Sequence, residues 1–256
     1  LLNEGYWGMN FVEGERYILR TIIRTSSDYK GKVTVRLLSS EGKILSSETL
    51  DIINGGEWND VKKTLTAVGH DSKGRLALEF DSPGTVWVDY VSLFPENTFN
   101  NRPNGLRRDV AEMLVGLKPA FFRWPGGCVV EGITLDNRFE WKKTLGDPAA
   151  RPGEYSTWGY RCSYGFGYYE MLQFCEDIGA KAMFVCNVGL GCQFRMGDAC
   201  GEHDIDFYID DCLDAIEYAL GDESTEWGAR RAADGHPAPF PLQYVEIGNE
   251  NWGAEY

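Results

Sequence analysis

The chain has 256 residues, of which 43% are hydrophobic and 25% charged; 25 basic against 39 acidic groups leave a formal net charge of −14. That composition excludes collagen-like and low-complexity chains, and the length is enough to bury a core without disulfides or metal. No apolar run approaches the roughly 18 residues a membrane span needs, and the acidic balance argues against a nucleic-acid partner, which requires clustered Lys and Arg.

Residues 1–95 read in period 2. Tyr17, Leu19, Thr21 and Ile23 alternate with Ile18, Arg20, Ile22 and Arg24, and the same alternation recurs at Val33–Leu37, Leu76–Phe80 and Val86–Tyr90. Turn chemistry separates these runs at Ser40-Glu41-Gly42, Asn54-Gly55-Gly56, Lys73-Gly74 and Ser82-Pro83-Gly84. About six short strands without a helical pattern predict an antiparallel β-sandwich. Trp58 and Trp87 are candidates for an exposed carbohydrate platform; the alternative, that they fill the sandwich core, is favoured for Trp87 by its apolar neighbours.

From about residue 105 the period becomes 3.6. Leu106, Val110, Met113, Leu114 and Leu117 mark one helix, Tyr168 to Ile178 a second closed by Gly179, and Ile205 to Leu220 a third closed by Gly221. Between and after them lie the apolar strands Phe121–Trp124, Ala182–Cys186 and Tyr244–Ile247. Helices alternating with strands predict a parallel sheet with crossover helices. The division falls at 98/99. Residues 1–98 carry 11 basic and 14 acidic groups, a net of −3; residues 99–256 carry 14 and 25, a net of −11.

Ligands of parallel α/β folds meet the C-terminal ends of the strands. The first strand ends in Arg123-Trp124-Pro125-Gly126-Gly127-Cys128, the second in Asn187-Val188-Gly189, the third in Gly248-Asn249-Glu250-Asn251-Trp252. Glu250 at the rim suits a general acid, the group that glycosidic cleavage needs beside a second carboxylate. A solvated loop carboxylate is the competing reading of Glu250. Asn249 suits a sugar hydroxyl and Trp252 a sugar face. Arg123 either orients a carboxylate such as Glu250 or neutralises Glu246 within the sheet, and the second role is preferred. Cys128 reads as a small wall residue or a ligand contact. Trp158 has either a stacking or a packing role, and His236, in a turn-rich connector, a structural one. Seven cysteines cannot all pair, and their spacing fits no zinc site. The N-terminus has no initiator Met, basic region or apolar core of a signal peptide, so the sequence is silent on export.

The ordered set Asn104-Gly105-Leu106-Arg107-Arg108-Asp109, Leu117-Lys118-Pro119, Arg123 to Gly132, Trp227-Gly228, Arg230-Arg231-Ala232, Gly235-His236-Pro237 and Gly248-Asn249-Glu250 resembles the α-L-arabinofuranosidases of glycoside hydrolase family 51. Asn3 to Asn10 and the strands after it resemble the carbohydrate-binding-module-like sandwich inserted in many of them. The resemblance implies a multidomain β plus α/β chain: a sandwich (1–98) followed by strands two to four of a (β/α)8 barrel (99–256). It implies a retaining hydrolase that releases terminal arabinofuranosyl groups from arabinan, arabinoxylan or their oligosaccharides, with no cofactor. Glu250 matches the general acid/base and Asn249 a residue binding the sugar beside the scissile bond. Arg123, Cys128 and Asn187 fall at strand ends that line that subsite. The family's nucleophile lies at the end of a seventh strand, beyond Tyr256, so a chain of these residues alone is expected to be inactive. Family members are often oligomers, and open barrel edges also favour self-association. Two alternatives stand beside this reading: a non-catalytic carbohydrate-binding module with a structural partner, and another glycosidase of the same clan.

Overall fold

The computed structural model describes residues 1–253. Contacts divide the chain into two units, Leu1–Met113 and Leu114–Tyr256.

The first unit holds eight strands: β1 (Leu2–Asn3), β2 (Met9–Phe11), β3 (Arg16–Thr25), β4 (Val33–Leu38), β5 (Ile44–Thr49), β6 (Trp58–Thr66), β7 (Asp71–Phe80) and β8 (Val86–Pro95). They form two antiparallel sheets, one ordered β1-β7-β4-β5 with β2 also on β7, the other β6-β3-β8. The period-2 reading of β3 holds residue by residue. Tyr17, Leu19, Thr21, Ile23 and Thr25 are buried while the intervening residues are partly exposed. Inward residues of both sheets, Leu19, Ile23, Val61 and Leu65 with Val33, Val35, Leu37 and Leu78, share one core.

Trp87 departs from the sequence expectation. It is 40% exposed, and Trp58 is 47% exposed. Between them lies Arg24, its guanidinium 4.3 Å from the Trp87 ring centre and 4.9 Å from that of Trp58. The apolar neighbours Val86 and Val88 face the core instead. Counting apolar neighbours along the sequence could not separate the two faces of β8.

Helix α1 (Arg108–Gly116) contains the unit boundary. The second unit then carries β9 (Phe121–Trp124), α2 (Cys128–Glu131), a small hairpin of β10 (Glu154–Tyr155) and β11 (Arg161–Cys162), α3 (Tyr168–Ile178), β12 (Lys181–Cys186), α4 (Ile205–Leu220), α5 (Glu226–Ala233) and β13 (Leu242–Ile247). Strands β9, β12 and β13 form a parallel sheet with β12 in the centre. Helix α3 begins where the Gly167 N–H donates to the Glu170 carboxylate at 2.8 Å and ends at Gly179 with φ +68°. Its apolar face packs with the sheet and α4 around Trp141, whose ring lies 5.2 Å from Tyr168, 5.8 Å from Tyr218 and 5.0 Å from Trp227. Among the described residues no helix is long and apolar enough to cross a membrane.

Arg231 anchors the connector after α4. It is fully buried, and its guanidinium donates to four carbonyls: His236 (3.0 Å), Tyr218 (2.9 Å), Gly221 (2.8 Å) and Pro237 (2.8 Å). No other side chain presents enough donors in one plane for this. Arg231→Met, which keeps the stem and removes the donors, is expected to lower stability by at least about 3 kcal/mol in urea denaturation, because the carbonyls stay buried and unpaired.

Candidate active site

The C-terminal ends of β9 and β13 are joined by one side chain. Arg123 reaches across β12 and grips Glu246 with two charge-assisted bonds, Nε to Oε2 at 2.5 Å and Nη2 to Oε1 at 2.6 Å. The same Nη2 donates to Oδ1 of Asn249 at 2.9 Å. Of the two partners the sequence offered Arg123, the hydrogen bonds go to Glu246. The guanidinium holds the Glu246 carboxyl below its ordinary range, chiefly through the hydrogen bond.

Glycines make room for this grip. A Cβ on Gly126 would stand 2.2 Å from Nη1 of Arg123, and one on Gly248 would stand 2.1 Å from Oδ1 of Asn251. Both glycines also hold φ in the left-handed region, at +66° and +76°. The Gly127 N–H donates to Oδ1 of Asn249 at 3.0 Å, so that oxygen accepts from two donors. Asn249 itself is 4% exposed.

Its other amide atom, Nδ2, donates to Oε2 of Glu131 at 3.3 Å. Asn251 Nδ2 donates to the other oxygen of Glu131, also at 3.3 Å, and Asn251 Oδ1 accepts from the Asn249 N–H at 2.8 Å. Glu131 is 3% exposed. Burial pushes its carboxyl above the usual glutamate range; the Asn249 amide and the Cys192 thiol, which hydrogen-bond to it, work against that rise, and the nearby Glu250 charge adds to it. Sequence reasoning nominated neither Glu131 nor Asn251. One signal was present: Cys128 and Glu131 are three residues apart, one turn of a helix.

Glu250 sits between these two asparagines. Its side chain is exposed, its φ is +46°, and among the described residues it makes no hydrogen bond. The positive φ ends the strand parity that would have aimed Asn249 and Glu250 to opposite faces.

The other nominated residues take distinct positions. Cys128 opens α2, with its sulfur, the Cys192 sulfur and a Glu131 oxygen within 4.8 Å of one another. Three such donors fall one short of a closed tetrahedral metal site. Burial raises the Cys192 thiol to about 12, which keeps it neutral. Asn187 spends its amide on backbone: Nδ2 donates to Val130 O (3.0 Å) and Leu190 O (3.1 Å), while Oδ1 accepts from Gly189 (2.6 Å) and Leu190 (3.2 Å). It thereby shapes the loop after β12 and ties it to α2. Trp252 is 56% exposed; its backbone N–H donates to Gln193 Oε1 at 2.8 Å and its ring lies edge-on to Phe194 at 6.4 Å. Trp158 is exposed beneath Arg195, and His236 stacks on Phe240 at 3.8 Å while bonding Glu176.

The Arg123–Glu246 pair has a definite pH signature. A depressed folded-state pKa gives stability that is present above the unfolded carboxyl's value and lost as pH falls through the folded one. The melting temperature of the wild type should exceed that of Glu246→Gln at neutral pH, and the gap should narrow below about pH 4. A gap that is constant down to pH 3 would show that the pair contributes nothing through charge.

Residues 113–256 match the family model described as the Alpha-L-arabinofuranosidase 1 domain. Alpha-L-arabinofuranosidase 2 of Arabidopsis thaliana is 38% identical over 261 residues, covering 99% of this chain and 37% of its own length. The extracellular exo-alpha-L-arabinofuranosidase of Streptomyces chartreusis is 36% identical over 97% of this chain and 31% of its own. Among solved structures, an arabinose-bound family 51 α-L-arabinofuranosidase superposes with a TM-score of 0.91 at 35% identity, over 97% of this chain and 41% of that one. The chain thus spans well under half the length of these relatives. With a family match over more than half its residues, the chain belongs to the α-L-arabinofuranosidases of glycoside hydrolase family 51.

Proposed function

We propose that the chain supplies the acid/base side of a retaining α-L-arabinofuranosidase active site. The observation that carries this is Glu250: an exposed carboxylate that makes no hydrogen bond among the described residues, at the end of a parallel strand, beside a buried and fully oriented Asn249. In this reading residues 1–98 are a carbohydrate-binding-module-like sandwich and residues 99–256 provide strands two to four of a (β/α)8 barrel. The open parallel sheet β13-β12-β9 supports the barrel assignment. Its exposed Phe121 and Tyr244, whose rings lie 6.1 Å apart, would look inward in a closed barrel.

The chemistry follows from the hydrogen bonds. Glu250, when protonated, gives its proton to the glycosidic oxygen of a terminal arabinofuranosyl group on arabinan, arabinoxylan or an oligosaccharide. It then takes a proton from the water that releases the sugar. Asn249 has both Oδ1 positions and one N–H committed, which leaves one N–H for a sugar hydroxyl. Arg123 aims Asn249 and does not touch Glu250 by hydrogen bond. Cys128 and Trp252 bound the sugar, and Asn187 shapes the adjoining loop. Retention needs a second carboxylate about 5 Å from the first. Glu246 is held by Arg123, and Glu131 is buried with both oxygens accepting from amides. Neither fits a free nucleophile, and the family resemblance places that residue on a strand outside these 256 residues.

In the full-length protein, Glu250→Ala should slow phenyl arabinofuranoside hydrolysis by about 100-fold or more and slow a dinitrophenyl substrate far less, with azide restoring turnover as an arabinosyl azide. Unchanged rates on both substrates would refute the assignment. A second reading concerns the first unit, where Trp58 and Trp87 present exposed rings on one face of β6-β3-β8. If that face holds polysaccharide, Trp87→Ala should weaken retention on insoluble arabinan or xylan at least about fivefold. Equal retention would leave the face without a sugar-binding role.

A further inference from the structure

We propose that Glu131 is a positioning residue whose two carboxylate oxygens hold both asparagines flanking Glu250 in place. This rests on Glu250 being the acid/base and adds how that residue is held.

An asparagine amide has two chemically different ends, and a turn through 180° exchanges them. For Asn249 the orientation is forced from one side: Arg123 and the Gly127 N–H are both donors, so the end facing them is Oδ1. For Asn251 it is forced by the Asn249 N–H, which also requires an oxygen. Both asparagines therefore present Nδ2 to the same place, and that place is occupied by the two oxygens of Glu131 at 3.3 Å each. The Cys192 thiol donates there as well. An ionised carboxylate accepts at every position and donates at none, which makes it the side chain that matches several converging donors. Helix α2 buries it, so water cannot substitute for a missing acceptor.

The consequence falls on Glu250. Its backbone is clamped on both sides through residues 249 and 251, in a left-handed conformation that a glutamate does not choose unaided. A loss of the acceptor at Glu131 would set one asparagine amide against another donor, displace that asparagine, release the conformation and move the Glu250 carboxyl away from the leaving oxygen. General acid catalysis responds steeply to such a shift.

The test uses the full-length protein and changes polarity without changing shape. Glu131→Gln places an N–H against one of the two Nδ2 groups. It is expected to lower kcat/KM for phenyl arabinofuranoside by about 30-fold or more and for a dinitrophenyl substrate, whose departure needs no proton, by less than about fivefold. A residue that only stabilised the fold would lower both equally. Asn251→Asp alone should show the same asymmetric loss, because two carboxylates then face each other. The double variant Glu131→Gln/Asn251→Asp restores a donor opposite every acceptor with Asn249 untouched, and should return phenyl arabinofuranoside hydrolysis to within about threefold of wild type. Equal losses on both substrates, wild-type rates for Glu131→Gln, or a double variant no better than the singles would each overturn the proposal. If Glu131→Gln does not fold, the double variant decides: a folded double with the wild-type leaving-group pattern supports the proposal, an unfolded one overturns it. Glu250→Ala run in parallel separates the two claims. If it leaves both rates unchanged, the reading of Glu250 fails. If it is impaired while Glu131→Gln behaves as wild type, only the positioning role fails.

Discussion

The second unit is organised around a guanidinium that has to be satisfied. Arg123 lies on an edge strand of a three-stranded sheet, and its partners Glu246 and Asn249 lie on and beyond the other edge strand. A side chain spanning the sheet in this way fixes the relative height of the two outer strands, and with it the loops that leave them. The glycines at 126 and 248 follow from the same demand, since a methyl group at either would occupy the space of the Arg123 or Asn251 side chain. The grip on Asn249 passes through that residue's amide to Glu131, and from Glu131 to Asn251. Five side chains, from β9, α2, β13 and the segment after β13, thus form one connected polar network. Glu250, between the two asparagines, makes no hydrogen bond among the described residues, which leaves its exposed carboxylate open to a ligand.

The elements that were legible in the sequence are those whose burial is decided by their own periodicity. Strand β3 and helices α3 and α4 read correctly because one face of each packs against a core and the alternation or the i, i+3, i+4 spacing records it. The β10–β11 hairpin has two-residue strands and α2 a single turn, too short for any period. Helix α5 (Glu226–Ala233) was hidden for another reason. It is held by the Thr225 cap and by the buried Arg231, not by an apolar stripe. Trp87 shows the limit of composition, because its exposure is decided by which face of β8 it occupies and by Arg24 on the neighbouring strand.

At the site, strand ends drew attention to Arg123, Cys128, Asn187, Asn249, Glu250 and Trp252, and the structure brings Arg123, Asn249 and Glu250 into or beside one network. What the sequence withheld was connectivity. Asn187 looks as available as Asn249 when read as a letter, yet its amide is consumed by backbone groups. Glu131 looks like a loop acid, yet α2 turns it inward beneath the asparagines. Neither fact follows from residue type, because each depends on contacts between distant positions, 57 apart for Asn187 and Val130 and 118 and 120 apart for Glu131 and the two asparagines.

The left-handed backbone at Glu250 sets stability against chemistry. A non-glycine residue held at positive φ carries a conformational cost of about 1 kcal/mol or more, which glycine would avoid. Any laboratory evolution that rewards heat resistance alone would therefore favour Glu250→Gly and discard the carboxylate. On the proposed acid/base role of Glu250, the position persists as glutamate only where the lineage is also screened for turnover. A thermostabilised descendant that has quietly lost this residue would be the expected failure of an unguarded selection.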